Sequence, residues 1–386
     1  MPPAQALYQW TDRVQQLFPD LKPHHARSLA WYSFGIALAR TCGLSQVVAY
    51  LAGFMAVGMA TLRQRLRELY QPAAVQRGCA RSTFDYTLCF GPLLRWAASA
   101  QTDRRLLLAL DPTCLTDRFR VLAVSVLYQG GAIPVAWHVQ TAAQTGSWNV
   151  IWKQLLGRLK CALGEGWDVL VLTDRGLESA ELFRAIVALG FHPLMRIKGG
   201  GKFQPAGWHK GYPVRQFAAA PQRRWAGEGV AYPTGEQLAS TLLALWEPGY
   251  EGAWLILTDL PGAASNPAWY AFRMWIEQGF KVLKSGCWQW QRTRMTDPER
   301  AARLWAVLAI ATLWLIEIGG EGEALQLPPV PPSGRTERLV KAGLRLLLLA
   351  LLHSRSVPKG RLQPQDEWRQ RDWQPDPWTE TMMDQS

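Results

Sequence analysis

One stretch of the chain carries residues whose types and spacing could do chemistry. Between Tyr270 and Lys284 the steps from Tyr270 to Arg273, Glu277 and Lys284 are three, four and seven residues. On a helix those steps bring all four side chains to one face. Phe272, Ile276, Phe280 and Leu283 form an apolar stripe on another. The helix thus has a core side and a side presenting one acid among two cations and a phenol. Taken alone, such a face is equally well a ladder of ion pairs on a surface helix. Two more acids stand where apolar runs give out. Asp111 closes Leu106–Asp111 ahead of Pro112-Thr113, and Asp174 follows Val169–Thr173 ahead of Arg175-Gly176. In open α/β sheets ligands bind at the carboxyl ends of strands, although an isolated aspartate there more often caps a turn.

The elements that must position these acids follow from periodicity. Leu106–Asp111 reads as a buried strand stopping at Pro112. Phe119–Tyr128 and Ile133–Val139 read as two more strands around a Gln129-Gly130-Gly131 turn. A helix over Trp148–Leu163, a strand over Val169–Thr173, a helix over Leu177–Leu189 and a fifth strand near Pro193–Lys198 complete a mixed α/β sheet. Residues 199–266, rich in Gly, Pro and Trp, read as an inserted β-rich segment with Ala253–Thr258 as its last strand. Long helices are expected from Pro267 to Lys284 and from Asp297 to Ile318, and another over Arg338–His353. The polar tail after Pro358, with Trp368, Trp373 and Trp378, is expected to be partly disordered or bound by a partner. The division is therefore an N-terminal helical region (1–100), a core in two parts (101–198 and 267–320) around the insertion (199–266), and a C-terminal helix and tail (321–386).

The N-terminal region has its own pattern. A helix over Ala26–Arg40 precedes a Gly43-Leu44-Ser45 turn, and Ser45 is placed to cap a helix running to Ala52. Gly53 breaks it, and a helix over Met59–Tyr70 carries Arg63, Arg65 and Arg67. Helix, short turn and basic helix outline a DNA-binding helix-turn-helix; a helical bundle with a solvated basic face has the same outline.

Tyr-x2-Arg-x3-Glu-x6-Lys resembles the signature of the transposases in the family named "insertion sequence four". Asp111-Pro112-Thr113 and Thr173-Asp174-Arg175-Gly176 look like the same family's first and second acidic motifs, in the same order. The resemblance spans about Leu106–Ile318. It implies a ribonuclease-H-like fold class, that is, an α/β mixed sheet, with Asp111, Asp174 and Glu277 as catalytic acids and metal ligands. Magnesium favours hard oxygen ligands, and two such ions, with manganese as a substitute, would serve in-line phosphoryl transfer. Asp111 would bridge both ions, with Asp174 on one and Glu277 on the other. Tyr270, Arg273 and Lys284 would contact phosphates beside the cut, and Arg292 and Arg294 would extend that track. Trp254 would stack on an extruded base, as in relatives that close a DNA hairpin. The partners implied are double-stranded DNA, at transposon ends and target, and a second copy of the chain.

Composition agrees with a polyanionic partner. The 386 residues carry a formal net charge of +12, with a pI near 9.6, which suits nucleic acid or an acidic membrane surface. No amphipathic basic helix supports the membrane. Ala301–Ile318 is the most apolar stretch and is read as a buried helix, and the opening residues lack a secretory pattern. Six cysteines without a paired spacing fit a reducing cytoplasm, and for a DNA enzyme the bacterial nucleoid. Gly199-Gly200-Gly201-Lys202 is followed by Phe203, so it is no phosphate loop. Two rivals share the motifs: an inactive descendant that only binds DNA, and a hydrolytic nuclease of the same fold.

Overall fold

The computed structural model describes residues 3–55, 57–77, 81–247, 249–324, 335–365 and 373–376. Its centre is built from β1 (Arg105–Leu115), β2 (Phe119–Tyr128), β3 (Gly131–Thr141), β4 (Asp168–Thr173) and β5 (His192–Arg196). β1 pairs antiparallel with β2 and parallel with β4, and β4 pairs parallel with β5. Two crossover helices make the parallel pairings possible: α6 (Asn149–Ala162) before β4 and α7 (Ala180–Ala188) after it. Ser179 caps α7 by accepting the Leu182 N–H. The spatial order β3-β2-β1-β4-β5 is the mixed sheet expected of a ribonuclease-H-like core.

β1 does not stop at Pro112. It runs on to Leu115, still paired with β2. β4 ends at Thr173, opposite Leu110. Beyond that point β1 has a free edge on one side, where a proline's missing N–H breaks no ladder. Asp111 and Asp174 therefore sit side by side at the place where two parallel strands part.

The insertion supplies β6 (Lys202–Pro205), β7 (Tyr212–Pro213), β8 (Arg224–Ala231), β9 (Leu238–Leu245) and β10 (Trp254–Thr258). β10 pairs antiparallel with β5, so ten strands form one sheet, ordered β3-β2-β1-β4-β5-β10-β9-β8-β6-β7. The insertion thus continues the core sheet rather than standing apart from it.

The N-terminal region comprises α1 (Pro3–Leu17), α2 (Pro23–Ala39), α3 (Leu44–Ala52), α4 (Met59–Tyr70) and α5 (Phe90–Ala98). It packs on the C-terminal helices α9 (Pro298–Ala324) and α10 (Arg335–Leu352). Trp10 stacks on Trp314 with ring centroids 4.0 Å apart, and Glu317 accepts from both Arg13 and Trp96. α9 is long and apolar enough to cross a bilayer, yet its whole apolar window is buried in the fold, as a helix apolar on all sides requires. Trp137 on β3 donates to the Ala302 carbonyl, seating α9 on the sheet. Ser45 does not cap α3: Gly43 holds the cap position without a side-chain bond, and the Ser45 hydroxyl accepts from Arg63.

The signature segment is helical but uneven. Pro267–Met274 is a 3-10 helix, α8 (Trp275–Lys281) is regular, and Val282–Gly286 widens into a π turn. Where the tail is described it packs on its own chain. The Asp376 N–H donates to the Arg224 carbonyl, and the Asp376 carboxylate accepts from the Arg224 N–H. Trp368 and Trp378 lie outside the described residues.

Candidate active site

A 3-10 helix turns once every three residues, so Tyr270 and Arg273 project in the same direction. The Tyr270 hydroxyl donates to the Thr173 carbonyl at 3.1 Å. Tyr270 is buried, so this residue, expected at a phosphate, instead braces the strand end that carries Asp174. Arg273 reaches further. Its Nη2 lies 2.6 Å from Asp111 Oδ1 and 3.6 Å from Asp174 Oδ2. One guanidinium nitrogen therefore stands between the two acids. Asp174 uses its other oxygen, Oδ1, to accept the Arg175 N–H, so it also caps the turn after β4. Glu277 is exposed on the next turn of the signature segment.

Burial pushes the Asp111 carboxyl up to about 6; Arg273 opposes the shift, while the charges of Asp174 and Glu277 add to it. Asp174 and Glu277 thus both act electrostatically on Asp111. The three acids are not drawn into a closed set: among the described residues no three Asp, Glu, His or Cys side chains gather as metal ligands. The donor chemistry nonetheless fits a hard divalent cation. The acids offer only carboxylate oxygens, and two of them already share a cationic group.

Other cations surround this point. Lys284 is half-buried in the π turn, a feature common at functional sites. Burial pulls its ammonium down, and the charges of Cys114 and Asp111 oppose that. Arg196, at the end of β5, lies over the Tyr270 ring at 5.9 Å, and its Nε is buried with no hydrogen-bond partner. Sequence reasoning missed Arg196. Its signal was position: it ends the fifth strand on the side where β4 gives out before Asp174.

Trp254 is not available as a stacking platform. It is 8% exposed, with its ring in edge contact with Tyr250 and Tyr270. The reason is its register in β10, opposite Leu245 inside the sheet. A different tryptophan meets open space beside the site. Trp246 lines a cavity of about 480 Å³ together with Arg175, Ile197, Arg215, Gln216 and Leu255, and Arg175 directly follows Asp174.

The remaining expected contacts lie elsewhere. Arg292 and Arg294 are exposed on the loop after the signature segment, which Arg118 fastens through the carbonyls of Thr293 and Met295. On α4, Leu62, Leu66 and Leu69 face the core, and Arg63 and Arg67 are exposed. Arg65 is half-buried, its guanidinium 4.8 Å from the centre of the Trp31 ring.

Residues 113–314 match the family described as "Transposase DDE domain". The match takes in Asp174 and Glu277 and begins just after Asp111. No curated protein matches the chain. Among solved structures, the cryo-EM structure of a piggyBac transposase synaptic complex with hairpin DNA is similar with a TM-score of 0.43 at 10% identity, over 91% of this chain and 79% of that one. With the family match covering more than half of its length, the chain belongs to the transposase DDE domain family, a family of DNA-cleaving and strand-transferring enzymes.

Proposed function

We propose that this chain is a cut-and-paste transposase of the insertion-sequence-four type, with Asp111, Asp174 and Glu277 as its catalytic acids. The observation that carries the reading is the pair Asp111 and Asp174 at the parting of β1 and β4, sharing one cationic group, with Glu277 close enough to raise the Asp111 carboxyl. Magnesium ions held by these carboxylates would supply an activated water or 3′-hydroxyl and charge stabilisation for the leaving oxygen. The protein's own contribution is placement. Tyr270 holds the end of β4, Arg273 reaches both aspartates from the uneven helix, and Arg196 and Lys284 add positive charge for a phosphate backbone.

A hairpin intermediate belongs to the same reading, with one change of residue. The cavity beside Asp174 joins an aromatic wall, Trp246, to the guanidinium groups of Arg175 and Arg215. An extruded base with its phosphate needs that combination. The enzyme would act on double-stranded transposon ends and on target DNA at the bacterial nucleoid, as a dimer that holds two ends together.

The test is strand cleavage and joining on labelled end DNA with Mg2+ or Mn2+. Asp111→Asn, Asp174→Asn and Glu277→Gln should each lower cleavage on the order of 10^4-fold while end binding persists. Wild-type protein that binds ends but never cuts them would make it a DNA-binding descendant. Nicking without joining would make it a hydrolytic nuclease.

A further inference from the structure

Arg273 is buried, 7% exposed, and its Nη2 occupies the wedge between Asp111 Oδ1 and Asp174 Oδ2. That wedge is where a cation shared by both carboxylates must sit. A finished structural ion pair satisfies every donor of a buried guanidinium. This one does not: Arg273 Nε is buried and has no hydrogen-bond partner. The side chain balances charge but is under-used as a donor. Phosphate offers what is missing, because its oxygens can take Nε and Nη together in a fork.

We infer that Arg273 is a resident counterion of the Asp111–Asp174 pair, giving up that place when a divalent ion arrives and turning its guanidinium to a DNA phosphate. The inference rests on the reading of both aspartates as metal ligands given above. Two consequences follow from charge alone. A guanidinium and a divalent ion cannot share so small and poorly solvated a space without repulsion, so without DNA Arg273 competes with the metal. A buried guanidinium that loses its carboxylates needs another anion, so DNA lowers the cost of metal entry. Metal and DNA must then strengthen each other's binding by one common factor. Arg273 acts here as a positioning and coupling residue that delays loading of the acids until an end is bound.

The experiment titrates the full chain with Mn2+, following free ion by electron paramagnetic resonance, with and without a pre-cleaved end duplex. Arg273→Met, which keeps length and removes charge, should bind Mn2+ at least about tenfold tighter than wild type when DNA is absent. Arg273→Lys keeps the charge and should stay close to wild type. Adding the duplex should tighten Mn2+ binding in wild type and leave Arg273→Met nearly unchanged. Weaker or equal Mn2+ binding by Arg273→Met, or the same gain from DNA in both proteins, overturns the inference. If Arg273→Met fails to fold, the wild-type arm decides: Mn2+ affinity unmoved by DNA overturns the coupling. Asp111→Asn should bind Mn2+ far more weakly; Asp111→Asn binding as tightly as wild type sinks the parent reading, and the counterion role falls with it.

Discussion

Gly279 crosses Ala132 so closely that a Cβ on the glycine would lie 2.5 Å from the Ala132 carbonyl oxygen. This contact seats α8, and Glu277 with it, directly on β3. Gly279→Ala must therefore push the helix off the sheet. We expect a loss of about 1–3 kcal/mol in denaturant unfolding and a larger fall in cleavage than in end binding. An unchanged unfolding midpoint would show that the helix has room to shift.

At the start of β5, His192 Nδ1 lies 3.0 Å from Asp259 Oδ2. The Asp259 hydrogen bond raises the imidazole above its ordinary value, burial opposes it, and the charges of Asp259 and Asp168 reinforce it. A raised histidine favours the folded state when protonated. Its contribution is full below about pH 6.5 and fades as pH rises through the folded value. Asp259→Asn should thus cost most stability near pH 5.5 and progressively less toward pH 8.5, as read from urea midpoints. A gap between the two proteins that stays constant with pH would refute the pairing.

The arginines of α4 should separate by position. Arg63, which donates to the Ser45 hydroxyl, and Arg67 are exposed to solvent, whereas Arg65 lies over Trp31. Replacing both Arg63 and Arg67 with Ala should flatten the salt dependence of end binding by roughly one to two phosphate contacts. Arg65→Ala should instead lower thermal stability modestly, with little change in that slope. Equal slopes for the wild type and both variants would exclude α4 from the DNA interface.

Trp246 and Trp254 offer a paired comparison. Trp246→Ala should leave first-strand nicking intact and slow hairpin closure about tenfold, since stacking is worth about 1–3 kcal/mol per base. Trp254→Ala should instead destabilise the fold by about 3–5 kcal/mol. Normal hairpin yield from a folded Trp246→Ala protein would show that the cavity holds no base.

Much of the core was legible because apolar runs bounded by Gly, Pro and Asp admit few readings. β2 and α4 have the bounds the periodicity implies, and β10 differs by one residue. The mixed character of the sheet came through because two helices must cross over to return the chain. α1 and α5 were missed. In α5, Gly91 and Pro92 break the pattern at its first turn, where a proline is tolerated. Of the candidate site, the sequence singled out Asp111, Asp174 and Arg273, which the structure brings together, but not the contacts they make. Spacing set Tyr270 and Arg273 on one face, but one donates to the Thr173 carbonyl and the other to the Asp111 carboxylate. Those partners come from strands about a hundred and more residues away, which helical spacing does not encode. Trp246 went unnoticed because nothing local separates it from the nineteen other tryptophans.

The join between β5 and β10 bears on solubility. Without the insertion, β5 would end the sheet as an apolar strand with a bare row of amide and carbonyl groups, ready to pair with any neighbouring chain. β10 covers that row through Ile256 and Leu257, and Ile197 donates to the Leu255 carbonyl alongside. The sheet then closes on β7, only two residues long, too short to template another strand. Excising residues 199–266 should therefore yield a core that aggregates edge to edge, however carefully the loop is rejoined.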